Sequence, residues 1–319
     1  MTDAPLHFDA DFSGLEPDDW LDRIEDLACD LGFFEPLGPD HQAVHLRAGT
    51  TLLVTFEEAD AIARTPGAAP RSFTFAQQDG WSVLSVIARG ESWFRHPAIY
   101  QFFDGLTDDG FFDGFDRVLF CGAGGAGYAA AAYSVAAPGA RVLAIRPQAT
   151  LAPEMAGWDT RYTAQRRLDF TGRYGFAPHM IEAALSCHVV YSPLQRADAM
   201  HAALFAAHGA TVLRVQGLPG RLEENFDRMG VSEALIRSAM AGDLTRPGFA
   251  RLMRAAKTFA PYQRSLFKRA VDAGHDQLAA QVAAHVLAAG DDSFFARKLD
   301  DLADAGIRPI RRRVVNAAE

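Results

Sequence analysis

Asp116-Arg117-Val118-Leu119-Phe120-Cys121-Gly122-Ala123-Gly124-Gly125-Ala126-Gly127-Tyr128-Ala129-Ala130 is the stretch that sets the architecture. The segment from Asp116 to Phe120 is apolar and β-prone, so it reads as a buried strand. It runs directly into four glycines within six positions, Gly122, Gly124, Gly125 and Gly127. An alanine-rich run follows, Tyr128 to Ala137, closed by Pro138-Gly139. The spacing predicts a strand, a sharp turn and a helix, in that order.

Outward from this turn the same alternation recurs. Strands are expected at Val44–Arg47, Thr51–Phe56, Trp81–Ala88, Arg141–Ile145, His188–Tyr191 and Thr211–Val215, with a weak segment at Phe73–Phe75. Helices are expected around 97–109 and at Ala197–Ala207. An amphipathic helix over 14–32 rests on Pro17, Leu21, Ile24, Leu27, Leu31 and the stop at Gly32. Strands alternating with helices predict an α/β fold with a mostly parallel sheet and helices on both faces. Residues 146–180 interrupt it with a long insertion rich in Arg, Trp and Tyr. The strand signal stops after Gly217. Helical spacing at Phe249, Leu252, Met253 and Ala256, then through Leu302, predicts a helical hairpin domain over 230–305. The α/β domain is thus drawn over 1–225, and 306–319 is read as a basic tail.

Composition bounds the function. The 319 residues are 49% hydrophobic, which excludes a disordered chain. With 31 Lys and Arg against 40 Asp and Glu, the net charge is −9, which argues against a nucleic-acid binder. Cys29, Cys121 and Cys187 form no CxxC pair, so neither a disulfide framework nor a zinc site is expected. No signal pattern opens the chain, and the longest apolar run, Tyr128–Tyr133, falls far short of the roughly 20 residues that span a bilayer. A cytoplasmic protein without membrane partners is expected. Oligomeric state is left open.

Gly122-x-Gly124-x-x-Gly127 supports a first chemistry. Glycines between strand and helix let a pyrophosphate approach the backbone at the helix N-terminus. Arg146, at the end of the next strand, suits a 2′-phosphate, so the cofactor would be NADP. The cofactor set is Gly122, Gly124, Gly125, Gly127 and Arg146, and the protein would be a nucleotide-dependent oxidoreductase or transferase. Against this, the motif lies on a central strand, whereas dinucleotide folds carry it on their first. A phosphoadenosine phosphosulfate reductase is the specific sulfonucleotide case. That family carries a Ser-Gly-Gly-x-Asp-Ser loop and a reactive cysteine near the C-terminus, and this chain has neither.

The second chemistry is the nucleophile elbow, G-x-S-x-G. The stretch Gly122-Ala123-Gly124-Gly125-Ala126-Gly127-Tyr128-Ala129-Ala130, then Tyr133-Ser134 and the strand end Arg146-Pro147-Gln148, resembles a subgroup of the α/β-hydrolase superfamily. The subgroup's elbow runs Gly-x-Ser-x-Gly-Gly-Tyr-Ala-Ala, and its next strand ends Ser-Pro-Gln. The resemblance covers roughly 50–217 and implies an α/β-hydrolase-like sheet. It also implies that Gly124 stands where the serine would be, a degenerate elbow without a nucleophile. Cys121 lies before the turn, within the strand. The segment right after Thr211–Val215, Gln216-Gly217-Leu218-Pro219-Gly220, where the triad histidine would fall, has no histidine, and only Asp198 and His201 lie near the acid's position. Serine-hydrolase activity is therefore expected to be absent. By the same resemblance, Gly125 and Phe56 would supply oxyanion-hole N–H groups, with Glu57 and Glu58 opposing an anion.

Ligands of open α/β sheets bind beyond the carboxyl ends of the strands. Arg146, Gln148, Trp158, Asp159 and Arg161 are expected to line such a cleft with Phe56 and Tyr128. Aromatic, guanidinium and amide groups suit a glycan or a nucleotide. The plainer reading makes Asp159 and Arg161 a pair tying down the insertion. His41 with His45, and His201 with His208, lack convincing metal spacing, so no metal is expected. Phe111, Phe112 and Phe115 read as core. The favoured function is a non-catalytic α/β-hydrolase-like protein binding a small polar ligand or a protein partner. An interaction scaffold is the third reading.

Overall fold

The computed structural model describes residues 4–310. Of the basic tail expected at 306–319, residues 311–319 lie outside the described residues. The strands are β1 (Gly32–Pro36), β2 (His41–Leu46), β3 (Thr51–Glu58), β4 (Ser82–Ala88), β5 (Arg117–Ala123), β6 (Arg141–Ile145), β7 (Ser186–Tyr191) and β8 (Thr211–Arg214). They form one sheet in the order β1-β2-β4-β3-β5-β6-β7-β8. The pairs β1–β2 and β2–β4 are antiparallel, and every other neighbouring pair is parallel.

A parallel sheet must be covered on both faces. Every residue of β4 is buried, as are Thr51–Phe56 of β3. Alternate residues, Leu52, Val54 and Phe56 on β3, Val118 and Phe120 on β5, and Val142 and Ala144 on β6, share one core with the helices Pro97–Asp108 and Gly125–Tyr133. The intervening Leu53, Leu119 and Leu143 are equally buried on the opposite face. There the helix Arg71–Asp79 contacts β3 and β4, and its buried Phe73, Phe75 and Ala76 lie outside the first core.

The helix Gly125–Tyr133 is buried at every position from Ala126 to Tyr133. A helix with no polar face belongs inside, and its small side chains bring it close to the sheet. A Cβ on Gly122 would stand 2.3 Å from the carbonyl oxygen of Ala126, so no larger residue fits there. Tyr133 ends the helix in an aromatic cluster, 4.6 Å from Phe103 and 5.5 Å from Phe56 between ring centres. Its hydroxyl donates to the Phe94 carbonyl at 2.6 Å.

Three local expectations change. The strand over Val44–Arg47 begins at His41, and β1 precedes it. Gly32 reads as a helix stop, yet it also starts β1. A Cβ there would meet the His45 carbonyl oxygen at 2.1 Å, so glycine permits the close pairing with β2. Phe73–Phe75 alternates like a strand but is helical. Gly80, at φ +66°, ends that helix by donating its N–H to the Phe75 carbonyl.

The chain divides into two compact units. One comprises residues up to Arg214 together with Glu233–Phe249, and the other comprises Val215–Ser232 and the chain from Ala250 on. Residues 233–249 therefore join the sheet-bearing unit rather than the helical one drawn from 230. Within that unit Arg237 binds both carboxylate oxygens of Asp79, at 3.0 and 2.9 Å, and stacks 5.3 Å over Phe75. In the other unit the helices Ala260–Asp272, Asp276–Leu287 and Ser293–Asp304 share a core of Phe267, Ala283 and Phe295.

Gly122→Ala is expected to cost more than about 2 kcal/mol, because backbone on both sides must move. Gly105→Ala, inside the helix Pro97–Asp108 with open space at its Cβ, is expected to be neutral or to stabilise by up to about 1 kcal/mol. Urea denaturation of the two variants checks the contrast.

Candidate functional site

The turn after β5 places Gly124 at φ +60°, ψ −125°, a backbone that L-residues adopt only under strain. Its N–H donates to the Ile145 carbonyl at 2.9 Å, and its carbonyl accepts from the Tyr128 N–H at 2.9 Å. Two side chains lie against this backbone. A Cβ on Gly124 would meet the Arg146 guanidinium at 3.4 Å, and one on Gly125 would meet the Trp93 indole at 3.2 Å. Arg146 (φ +42°), Trp93 (φ +51°) and Phe94 (φ +55°) all occupy the left-handed region without being glycine. Such residues cost of order 1–3 kcal/mol each and persist only where the surroundings force them.

The guanidinium and the indole thus both lie beside the turn. Arg146 has its own partner within the protein. Nearby, the Glu57 carboxylate accepts from the Arg71 N–H at 3.1 and 3.2 Å. Gly122 and Gly127 serve close packing. A Cβ on Gly127 would stand 3.1 Å from the Gly122 carbonyl oxygen and 3.2 Å from that of Ile145.

Cys121 is buried in β5, and burial pushes its thiol up to about 12. Cys187 is pushed to about 12 for the same reason. Neither supplies a thiolate at neutral pH. Phe56 and Tyr128 are core residues. Phe56 stacks on Phe103 and Tyr133. Tyr128 donates its hydroxyl to the Tyr174 carbonyl and accepts from Arg95 at 3.3 Å.

The structure brings the buried Asp159, Asp198 and His201 together with the partly exposed Arg161 in one network. Arg161 clasps both oxygens of Asp159 at 2.9 and 2.8 Å and reaches Asp198 at 2.6 Å. The Asp159 carboxylate also accepts from His201 Nε2 at 3.0 Å. The Ala149 N–H donates to His201 Nδ1 at 3.1 Å, so the proton sits on Nε2 and both ring nitrogens are used. Burial alone would push the Asp159 carboxyl up; hydrogen bonds from His201 and Arg161 outweigh it and hold the group well below the usual carboxylate range. Arg166 donates to the Asp159 carbonyl at 2.6 Å. Trp158 is tethered through its indole N–H to the Met155 carbonyl, with its ring 4.5 Å from that of His201.

A second anchor had no signal in the sequence. The buried Arg95 donates to the carbonyls of Asp169 (2.8 Å) and Arg173 (2.6 Å) and stacks 4.8 Å over Tyr100. Two buried polar atoms near the turn have no hydrogen-bond partner: Trp93 Nε1 and Gln148 Oε1. Gln148 spends its NH2 group on the Arg146 carbonyl at 3.3 Å. His41 and His45 bind separately, His41 to the Ser92 hydroxyl at 2.7 Å and His45 to the Val83 carbonyl at 2.8 Å. Among the described residues, no group of three or more His, Cys, Asp and Glu side chains is arranged to hold a metal. None of the described helices is long and apolar enough to cross a membrane.

No protein-family model matches the chain, and no curated protein does. Among solved structures it is similar to a capsule O-acetyltransferase of Neisseria meningitidis serogroup A, at 12% identity and TM-score 0.41, covering 64% of this chain and 96% of that one. It is also similar to carboxyl esterase 2 of the mycorrhizal fungus Tuber melanosporum, at 13% identity and TM-score 0.40, covering 70% and 83%. These are likenesses of fold. From its strand order and the backbone of this turn, the fold is α/β-hydrolase-like. Within this α/β-hydrolase-like fold, Gly124 falls where the strand gives way to the central helix.

Asp159→Ala leaves the buried His201 without its acceptor, while the partly exposed Arg161 keeps Asp198. It is expected to destabilise by about 1–3 kcal/mol and to open Arg161–Arg173 to trypsin; urea denaturation and limited proteolysis check both. Burial lowers His41 and His45 to about 4, against 6.5 when unfolded. The unfolded chain therefore takes up protons first as pH falls below 6.5. Stability from this pair is complete above pH 6.5 and is lost between pH 6.5 and 4. The melting temperature should fall by on the order of 5 °C across that window, and His45→Gln should flatten the slope.

Proposed function

We propose that this protein is a non-catalytic α/β-hydrolase-like protein that works by binding a small polar ligand at the carboxyl edge of its sheet. One observation carries the reading. Gly124 keeps the sharp backbone of a nucleophile elbow while offering no side chain, and the Arg146 guanidinium lies beside it, 3.4 Å from where a Cβ would stand. The turn is in this sense a degenerate elbow. Acyl transfer needs a nucleophile, a base and an oriented partner for the base. The buried His201–Asp159 pair has the right residue types, but both imidazole nitrogens are already spent.

The strain at Trp93, Phe94 and Arg146 supports a retained role for the edge, since such strain clusters at functional sites. Trp93 Nε1 is a buried donor and Gln148 Oε1 a buried acceptor, each without a partner. A hydroxyl-bearing ligand, a glycan or a nucleotide sugar, complements both.

A fluorophosphonate probe is expected to leave the protein unlabelled, and Gly124→Ser is expected to stay unlabelled because no free histidine activates the new hydroxyl. Labelling of either by mass spectrometry would overturn the reading. Millimolar NADPH is expected to leave the melting temperature unchanged.

A further inference from the structure

We propose a neutral monosaccharide site beyond the carboxyl ends of β3 and β4, on the opposite side of β3 from the glycine turn. A cavity of about 360 Å³ opens there, within the range of small-molecule sites. Its walls come from the residues that follow β3 and β4, from the start of the antiparallel β2, and from the chain leading into the helix Pro17–Leu31. This is the edge where open α/β sheets hold their ligands.

The decisive residue is Gln42. It lies on β2, is 6% exposed and lines the cavity. Its carboxamide makes no hydrogen bond with any described residue. The amide is open to the cavity, so a ligand that displaces water from the cavity must meet it with hydrogen bonds of its own. The carboxamide offers two donors and two acceptor lone pairs, which suits hydroxyl groups that both give and take hydrogen bonds.

The remaining walls narrow the ligand further. Phe12 and Trp20 supply aromatic surface, and Trp20 is held by its indole N–H donating to the Ala68 carbonyl at 2.7 Å. Such surface packs against the C–H face of a sugar ring. Asp60 and Arg89 stand at the mouth, one charge of each sign, and Arg89 already faces Asp18 at 3.8 Å. An anion would gain little from so balanced a rim. A hydrocarbon would leave Gln42 unpaired. A neutral, polyhydroxylated ring satisfies all three surfaces at once.

This inference rests on the reading of the protein as a binder and names the ligand class; it uses nothing at Gly124. Titration calorimetry of the full chain with methyl α-D-glucoside, methyl β-D-galactoside and N-acetyl-D-glucosamine tests it. At least one is expected to bind saturably with a Kd of about 10 mM or tighter, and to change the tryptophan fluorescence. Gln42→Leu should weaken that binding by at least about tenfold. Asp60→Ala, at an exposed position that leaves folding intact, should weaken it by about two- to fivefold. Trp20→Phe should abolish the fluorescence response. No saturable binding of any of the three sugars would overturn the proposal. Binding unaffected by all three substitutions would do so too, as would binding of glucose 6-phosphate without glucose. Each of those failures leaves the non-catalytic reading standing, because that reading is tested at the glycine turn and not at this cavity.

Discussion

The carbonyl oxygen of Ala126 lies so close to Gly122 that a single added carbon would stand 2.3 Å from it. This approach locks the central helix onto β5 and sets the depth at which the rest of the sheet can pack. It requires glycine at 122 and small residues after 125. It also forces the chain to reverse at Gly124 through a backbone that only glycine adopts without strain. Helix and turn form one rigid piece, and the aromatic cluster of Phe56, Phe103 and Tyr133 closes over it.

A rigid turn does not by itself make an enzyme. What differs here is what fills the space above it. Arg146 and Trp93 are held in strained conformations against Gly124 and Gly125, and the insertion they adjoin is pinned at two places. One anchor is the Asp159–Arg161–Asp198–His201 network; the other is Arg95 reaching the backbone at 169–173. Buried ion pairs contribute little net stability. Their geometric effect is larger, because Asp159 holds both His201 and Arg161 in place. The insertion is thereby fixed over the sheet, and the buried His201–Asp159 pair is consumed in fixing it.

Much of the fold was legible because β5 and the turn carry dense local signals. An apolar run, four glycines and an alanine-rich helix have few alternative readings. The strand order was not legible, since it depends on pairings between distant segments. The helices Ser232–Ala241 and Arg246–Leu252 lie where helical spacing was read, yet helical spacing does not say which body a helix packs on; Arg237 and its contact with Asp79 lie 158 residues apart. At the site, the Asp159–Arg161 pair was visible because it is local, whereas His201 meets Asp159 across 42 residues. Arg95, Trp93 and Gln42 gave no signal at all, because a lone polar or aromatic residue among apolar neighbours shows nothing of what it faces.

Whether Arg146 fills the space above Gly124 decides what this turn can do. Thiol accessibility measures this directly, using Gly124→Cys in a chain whose exposed Cys29 is replaced by serine. Filled by Arg146, the new thiol should react with iodoacetamide about a hundredfold more slowly than Cys29 does in the natural chain. Adding Arg146→Ala should restore most of the rate. A Gly124→Cys thiol that reacts as fast as Cys29 with Arg146 in place would contradict a filled space, and would mean that the turn is open to substrate.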